Sequence, residues 1–252
     1  MKLGGSVITD KSTYRTPRLD VLARLALEVA SSGERLALVH GAGSYGHVVA
    51  KRHELARGMD DRVERQLAAA QVHADVRELQ GLVLRALGDV GIPAMSLSTY
   101  DLARLTSGEM GAFAYEPVHE TVTRGFVPVM SGDVALDAAR GFGILSGDVL
   151  MVELARALRP ARAVFVTDVD GIYDRDPGEP GATLLPRIDL RTDVRTTESR
   201  VPDITGSMLG KLKRAREVAR SGVPVHIVNG LVPGRLADVL AGRETVGTVV
   251  TA

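Results

Sequence analysis

The chain contains no cysteine and no tryptophan, and its charges cancel, with 31 Lys and Arg against 31 Asp and Glu in 252 residues. The absence of cysteine excludes a disulfide framework and a thiolate metal site. The balanced charge excludes the basic footprint that is typical of nucleic-acid binding. No apolar run approaches the roughly 20 residues that a membrane span requires. These absences favour an ordinary globular protein.

The start of the chain carries no signal-peptide pattern, because Met1 leads directly into KLGGSVIT. We therefore expect a cytoplasmic protein. Met1 lies only two residues before Leu3, so the first strand looks clipped, which leaves open whether the true start lies upstream.

Short apolar runs alternate with amphipathic stretches along the whole chain, which indicates an α/β protein with a mostly parallel sheet. Five short runs are predicted to be buried strands, and several of them are apolar almost throughout, as strands covered on both faces are. They are residues 35–40, 92–97, 126–131, 163–168 and 223–228. We expect a single domain over 1–252, with a soft boundary near Pro160 between lobes 1–160 and 161–252.

Two helices have particularly clear sequence signals. The stretch 17–32 is preceded by Thr16 as a predicted N-cap, has Pro17 in its first turn, and is followed by Gly33 as a stop. Its predicted core-facing residues are Leu19, Leu22, Leu25, Ala26 and Val29. The region 60–88 predicts a long helix, broken at most once.

Glycine-rich or polar segments follow several of the predicted strands or open helices. They are KLGGSVITDK (2–11), HGAGSYGH (40–47), SGD (146–148), TDVDGIY (167–173) and DITGSMLGK (203–211). In α/β sheets ligands bind at the carboxyl ends of strands, and backbone nests and helix N-termini favour anions. P-loop, GxSxG and HExxH motifs are absent, and no GxGxxG is followed by a ribose-binding acid at the expected distance, so a dinucleotide fingerprint is unsupported. Together the segments predict a phosphate site of another kind.

Three lysines lie inside these segments, in a chain that otherwise prefers arginine: Lys2, Lys11 and Lys211. Lysine is a compact point charge suited to bridging phosphate oxygens. Phosphoryl transfer needs mainly positioning and neutralisation of charge on the moving group. The lysines therefore favour phosphoryl transfer over a purely structural role.

In this order, these segments resemble the amino acid kinase superfamily, and within it the isopentenyl phosphate kinases. The resemblance extends from residue 2 to residue 211. It implies a three-layer αβα sandwich with a mostly parallel central sheet. The histidine of GSYGH and the lysine of SVITDK are similar to those of the branch whose acceptor is a phosphate or phosphonate.

The resemblance also implies a role for each matching position. The catalytic residues would be His47, Lys11 and Lys2. ATP would contact Lys2, Leu3, Gly4, Gly5, Ser6, Asp168, Asp170, Gly171, Tyr173, Gly206 and Lys211. The acceptor would contact Gly41, Ala42, Gly46, His47, Gly147 and Asp148. Mg²⁺ would be held largely by the phosphates, so no protein ligand is assigned to it.

Two positions depart from the family pattern. Ala42 replaces the middle glycine of the loop, at a cost of about 1 kcal/mol or more if that position needs a positive φ. Ser207 stands where a second glycine is usual; a serine at a helix N-terminus can still donate to phosphate.

Other polar residues near these segments have weaker assignments. We expect His40 to brace the glycine loop through a backbone hydrogen bond rather than to contact substrate. His73 lies in the long predicted helix, and we expect it to pack against neighbouring residues rather than to line the acceptor pocket. Asp133, in an earlier SGD at 131–133, is left open.

The implied activity is ATP-dependent phosphorylation of isopentenyl phosphate to isopentenyl diphosphate, a step of isoprenoid precursor synthesis. A fosfomycin-type phosphonate kinase and a non-catalytic binding or storage protein on the same fold remain alternatives. A carboxylate kinase is disfavoured by His47. A homodimer is expected from the resemblance, with helices 17–32 or 60–88 able to pack against a twin.

Overall fold

The structure, a computed structural model, describes residues 1–60, 63–191 and 208–252. Its strands are β1 (Lys2–Leu3), β2 (Leu38–His40), β3 (Ala94–Ser96), β4 (Ala103–Thr106), β5 (Glu109–Phe113), β6 (Val127–Ser131), β7 (Asp133–Asp137), β8 (Gly141–Leu145), β9 (Ala163–Thr167), β10 (Arg187–Ile188), β11 (Val225–Asn229) and β12 (Gly247–Val250). Its helices are α1 (Gly5–Ile8), α2 (Leu19–Ser32), α3 (His47–Arg52), α4 (Val63–Asp89), α5 (Thr99–Leu102), α6 (Glu116–Thr123), α7 (Gly147–Leu158), α8 (Met208–Ala219) and α9 (Arg235–Leu240).

The central sheet has eight strands in the order β10-β12-β11-β9-β1-β2-β6-β3. All neighbouring pairs are parallel except β11 and β12. This sheet confirms the α/β prediction, and each of the five predicted strands is present. Strand β1 pairs with β2 on one side and β9 on the other, so both predicted lobes contribute to one sheet. The division at residue 160 stays a prediction.

Helices cover both faces of the sheet because consecutive strand residues point to opposite sides. In β2, Leu38 packs with the apolar residues of α2, α4 and α9, whereas Val39 packs with those of α6, α7 and α8. Lys2 and Leu3 alternate in the same way in β1. Leu3 lies in the core below α2, and Lys2 points to the side of α7. The result is the expected three-layer αβα sandwich.

A second, four-stranded sheet of order β5-β4-β7-β8 was not predicted. Its strands are short, and β4 alternates buried with exposed residues over only four positions, which is a weak pattern. A separate apolar cluster fills the space between this sheet and the helices α3 and α4. It contains Val49, Ala50, Leu55, Ala68, Ala69, Val72, Val76, Val134 and Phe142.

The predicted start of α2 is wrong, and its predicted end is correct. Pro17 pairs with Thr9 in an isolated bridge, and the Arg18 N–H donates to the Ile8 carbonyl at 2.8 Å. This extended pairing prevents Thr16 from capping the helix, which begins at Leu19 with Arg18 as its N-cap. Leu19 is consequently 56% exposed rather than part of the core. Gly33 ends the helix with φ +61°.

The long predicted helix is α4, which runs unbroken for 27 residues. Among the described residues, no helix combines the length and the apolar character that crossing a membrane requires.

Candidate active site

A cleft opens where β1, β2 and β9 end and where α1, α3 and α7 begin, as expected for a parallel sheet. The predicted residues that line it are Lys2, Gly4, Gly5, Ser6, Lys11, Gly41, Ala42, Gly46, His47, Gly147, Asp148, Asp168 and Lys211. Residues separated by up to 209 positions in sequence are thus brought together. Gly206 and Ser207 lie outside the described residues.

Bare backbone is needed in the cleft because two loops touch there. A Cβ on Gly5 would lie 2.4 Å from the Gly43 nitrogen, and a Cβ on Gly41 would lie 2.6 Å from the Gly5 nitrogen. No side chain fits at either position. The β1 segment and the glycine loop therefore present their backbones side by side to whatever occupies the cleft.

The alanine in the glycine loop has an ordinary conformation. Ala42 adopts φ −67° and ψ −26°, in the right-handed helical region. Positive φ falls instead on Gly43, at +52°, where a Cβ would also collide with the Thr9 hydroxyl. Replacement of the usual glycine by Ala42 therefore carries no backbone penalty.

Lys2 is buried and forms an ion pair with Asp148, the second residue of α7. Burial favours the neutral carboxyl, but Lys2 and Lys211 outweigh it and hold the pKa of Asp148 below its usual value. Burial likewise lowers the pKa of Lys2, and the Asp148 carboxylate opposes this effect. We infer a charged pair. Asp148, predicted on the acceptor side, thus orients a lysine at the centre of the cleft.

Asp168 directly follows β9 and also lines the cleft. Burial raises the pKa of Asp168, but the charge of Lys11 and the hydrogen bond from the Ser6 hydroxyl lower it by more, so the net shift of the pKa is downward. The carboxylate is consequently ionised at neutral pH. Lys2, Lys11, Lys211 and two carboxylates together form a dense set of charges around a space that is suited to phosphate groups.

Four other predicted nucleotide contacts do not line the cleft. Asp170 instead binds Arg235 at 2.5 Å and the Asn229 side chain at 2.9 Å. Gly171 packs against β12, where a Cβ would meet the Thr248 hydroxyl at 2.4 Å. Tyr173 pairs with Leu184 in an isolated bridge, and the Leu3 side chain lies in the core.

The two histidines of the glycine loop are placed differently. His47 is the first residue of α3 and lines the cleft. His40 is fully buried, and its Nδ1 lies 3.1 Å from the Gly41 carbonyl oxygen, the backbone contact that was predicted. Burial lowers the pKa of His40 to about 4, so its ring is neutral. Within the cleft, His47 is the imidazole that can contact a ligand.

The sequence did not identify the apolar end of the cleft. Beyond His47 the wall continues through Ala50, Val72, Ile144 and Leu145, which come from α3, α4 and β8. The repeated SGD was the available signal for the polar part of this wall, since Gly132 and Asp133 also line the cleft.

Asp133 anchors helix α4 to the sheet. Its carboxylate accepts from Arg77 at 3.1 Å and lies 2.9 Å from His73 Nδ1. Burial raises the pKa of Asp133 despite these two partners. His73 itself packs against Tyr100 and does not line the cleft, as its packing assignment predicted.

A mostly parallel sheet, glycine loops that meet at its carboxyl edge and three converging lysines define a phosphotransferase of the αβα-sandwich class. The amino acid kinase family model matches residues 1–229, and the chain belongs to this family.

The chain is similar to curated isopentenyl phosphate kinases from two archaea. The protein from Thermoplasma acidophilum is 34% identical, over 99% of this chain and 98% of its own. The protein from Methanothermobacter thermautotrophicus is 35% identical, over 100% of this chain and 98% of its own. A solved isopentenyl phosphate kinase structure, 33% identical, superposes with a TM-score of 0.86 and covers 99% of this chain and 98% of its own.

Proposed function

We propose that this chain transfers the γ-phosphoryl group of ATP to isopentenyl phosphate, forming isopentenyl diphosphate and ADP. The observation that carries the proposal is a cleft that is polar at one end and apolar at the other. The glycine loop and His47 suit a phosphate, and Ala50, Val72 and Ile144 suit a short hydrocarbon tail. The full-length similarity to isopentenyl phosphate kinases supports the same substrate.

The transfer is a direct in-line displacement. An oxygen of the acceptor phosphate attacks the γ-phosphorus of ATP, and the bond from phosphorus to the β,γ-bridging oxygen breaks. The second pKa of a phosphate monoester is about 6, so the attacking oxygen is already ionised at neutral pH. No general base is required. The protein has to position the two phosphates and offset their repulsion.

The lysines do most of this electrostatic work. Lys2, oriented by Asp148, lies beside the bare backbone of Gly4 and Gly5, where the ATP phosphates would bind. Lys11 stabilises the moving phosphoryl group, and Lys211 acts from the opposite rim. His47 donates a ring N–H to a non-attacking oxygen of the acceptor phosphate and so orients the attacking one.

Mg²⁺ commonly binds through substrate phosphates and at most one or two carboxylates. The described residues contain no group of three or more His, Cys, Asp or Glu side chains that could hold a metal ion. The donor set at the cleft fits an ion carried mainly by ATP, and Asp148 and Asp168 are ionised carboxylates of the same cleft. When bound, Mg²⁺ neutralises part of the charge on the phosphates.

The direct test measures ADP release from ATP with a panel of acceptors. We expect isopentenyl phosphate to have the highest kcat/KM, and dimethylallyl phosphate and short alkyl phosphates to be poorer substrates. One methylene is worth only about 1–3 kcal/mol of discrimination. Fosfomycin should react weakly or not at all. A preference for fosfomycin would favour the phosphonate kinase alternative, and no turnover with any acceptor would favour a binding protein.

The role of His47 can be tested in the same assay. His47→Ala should abolish most activity while ATP binding, measured by calorimetry, stays nearly intact. His47→Gln and His47→Asn can still donate one hydrogen bond and should keep measurable activity. Equal, near-complete loss in all three folded variants would contradict the donor role.

A homodimer in the cytoplasm completes the proposal and is supported only by the family resemblance. Light scattering at micromolar concentration should give twice the mass of the chain. A monomer would reject the dimer and leave the proposed chemistry unaffected.

A further inference from the structure

Lys11 lies in a loop, residues 10–16, that joins α1 to α2 at the mouth of the cleft. The loop closes on itself, because the Asp10 N–H donates to the Thr16 carbonyl at 2.8 Å. The backbone and hydroxyl of Ser12 both donate to the Asp10 carboxylate, at 2.9 and 2.7 Å. These bonds shape the loop without fixing where it lies above the cleft.

Contacts to helix α4 supply that placement. The Tyr14 hydroxyl donates to Asp75 Oδ2 at 2.5 Å and accepts from Gln71 Nε2 at 2.8 Å. Arg15 pairs with Asp75, at 3.6 Å, and with Glu78. Gln71, Asp75 and Glu78 are spaced four and three residues apart, so they form one face of the helix. We call these five residues the Tyr14 latch.

Two features indicate that the latch holds a defined position. The side chain of Asp75 is only 7% exposed, and a buried carboxylate is costly without partners. Arg15 has φ +52°, an unusual conformation for a non-glycine residue, which persists only where surrounding contacts impose it. The Thr16 N–H also donates to the Ser44 hydroxyl at 3.2 Å, which ties the same loop to the glycine loop.

We propose that the Tyr14 latch is a positioning device for Lys11, with Tyr14, Arg15 and Asp75 as positioning residues for phosphoryl transfer. This inference rests on the proposed function. The latch fixes the Lys11 loop to α4, whose Val72 lines the apolar end of the cleft. One helix, α4, thereby helps to fix the positions of both the acceptor's hydrocarbon tail and Lys11, the cation that stabilises the moving phosphoryl group. None of the five latch residues lines the cleft.

A positioning role predicts a loss in kcat with little change in KM. Tyr14→Phe removes the donated hydrogen bond and keeps the ring. We expect kcat to fall about tenfold, less than the roughly hundredfold loss that a 1 Å misplacement can cause. KM for ATP and for isopentenyl phosphate should change by less than about twofold, because Lys11 acts mainly in the transition state. Arg15→Gly, which suits the positive φ and removes only the guanidinium side chain, should act in the same direction.

Tyr115→Phe is the matched control. The Tyr115 hydroxyl also donates to a buried carboxylate, Glu153 Oε2, at 2.5 Å, and neither residue lines the cleft. Its kcat should equal that of the wild type. The decisive background is Lys11→Ala, in which Tyr14→Phe should cause no further loss because the group being positioned is gone.

The possible outcomes separate the latch from the proposed function. Unchanged kcat in Tyr14→Phe and Arg15→Gly, in an active protein, would overturn the latch alone. The same fractional loss in the Lys11→Ala background would also overturn it, because the latch would then act on general stability. No turnover of isopentenyl phosphate by the wild type would reject the proposed function and the role of the latch with it.

Discussion

Two segments of the chain share the sequence Ser-Gly-Asp and meet at the cleft, yet their carboxylates have different surroundings. Residues 131–133 join β6 to β7, and residues 146–148 lead from β8 into α7. The glycines are in close contact, since a Cβ on Gly132 would lie 2.9 Å from the Gly147 nitrogen. The same tripeptide therefore brings two acidic residues to neighbouring parts of one site.

The partners of each carboxylate decide what it does. Asp148 faces Lys2 and Lys211, which hold its pKa below the usual value. Asp133 faces His73 and Arg77 of α4, and burial raises its pKa in spite of them. The first carboxylate pairs with a lysine that lines the cleft, and the second attaches a helix to the sheet. Identical local sequence thus does not imply an identical role.

The largest expected effect is the difference in kcat between variants in which one or the other carboxylate is replaced. Asp148→Asn leaves Lys2 buried without its counter-charge, and we expect kcat to fall about 10²–10³-fold, as when one strong electrostatic group is lost. Asp133→Asn keeps the shape of the side chain and leaves the ion pair between Lys2 and Asp148 in place, so it should lower kcat by less than about tenfold. The measurement is steady-state ADP release, with folding checked by circular dichroism. Equal losses in the two variants would mean that both carboxylates serve the lysines.

The sequence identified the lysines, the glycine loop and the second SGD because each is a local pattern. It could not identify the partner of Asp148, since Lys2 is 146 residues away and only the sheet brings the two together. The same limit explains Asp170 and Gly171. Their motif indicates a nucleotide contact, which stays a prediction, but it could not indicate that they also contact Arg235 and Thr248 from later elements.

Fold prediction had a similar limit. Strands such as β9, whose five residues are all buried, are apolar almost throughout and were predicted from their apolar runs. The second sheet has short strands of mixed character, and β5 is largely exposed, so its pattern is weak. The start of α2 was missed because a tertiary contact, the bridge from Thr9 to Pro17, overrides a favourable capping sequence.

A pH series should separate the carboxylates by stability. The pKa of Asp148 is lowered in the folded state, so its contribution to stability is present above about pH 4 and is lost as pH falls. The pKa of Asp133 is raised, so folding is favoured below about pH 4 and disfavoured as pH rises through its folded pKa. Urea unfolding between pH 3 and 7 measures both effects.

The difference in unfolding free energy between the wild type and each variant should change with pH in opposite directions for the two carboxylates. The unfolding free energy of the wild type minus that of Asp148→Asn should rise with pH, and the corresponding difference for Asp133→Asn should fall. Each slope is limited to about 1.4 kcal/mol per pH unit for one proton. Other titrating groups largely cancel in these differences. Slopes of the same sign would show that the two environments do not differ as described.

The smallest expected effect concerns the two serines. The Ser146 hydroxyl caps α7 by accepting from the Asp148 N–H at 3.2 Å, and the Ser131 hydroxyl accepts from Arg77 at 3.0 Å. Each Ser→Ala substitution should lower the unfolding free energy by about 1 kcal/mol, which shifts Tm by roughly 2–4 °C in a chain of this size.

Only Ser146→Ala should also lower the activity, because the Ser146 cap helps to fix Asp148, the residue that orients Lys2. We expect kcat to fall about threefold, or roughly 0.7 kcal/mol of barrier. Ser131→Ala should leave kcat unchanged, since Arg77 keeps its bond to Asp133. A loss of kcat in both variants, at matched stability, would mean that the position of the Ser131 segment also affects catalysis, through the contact between Gly132 and Gly147.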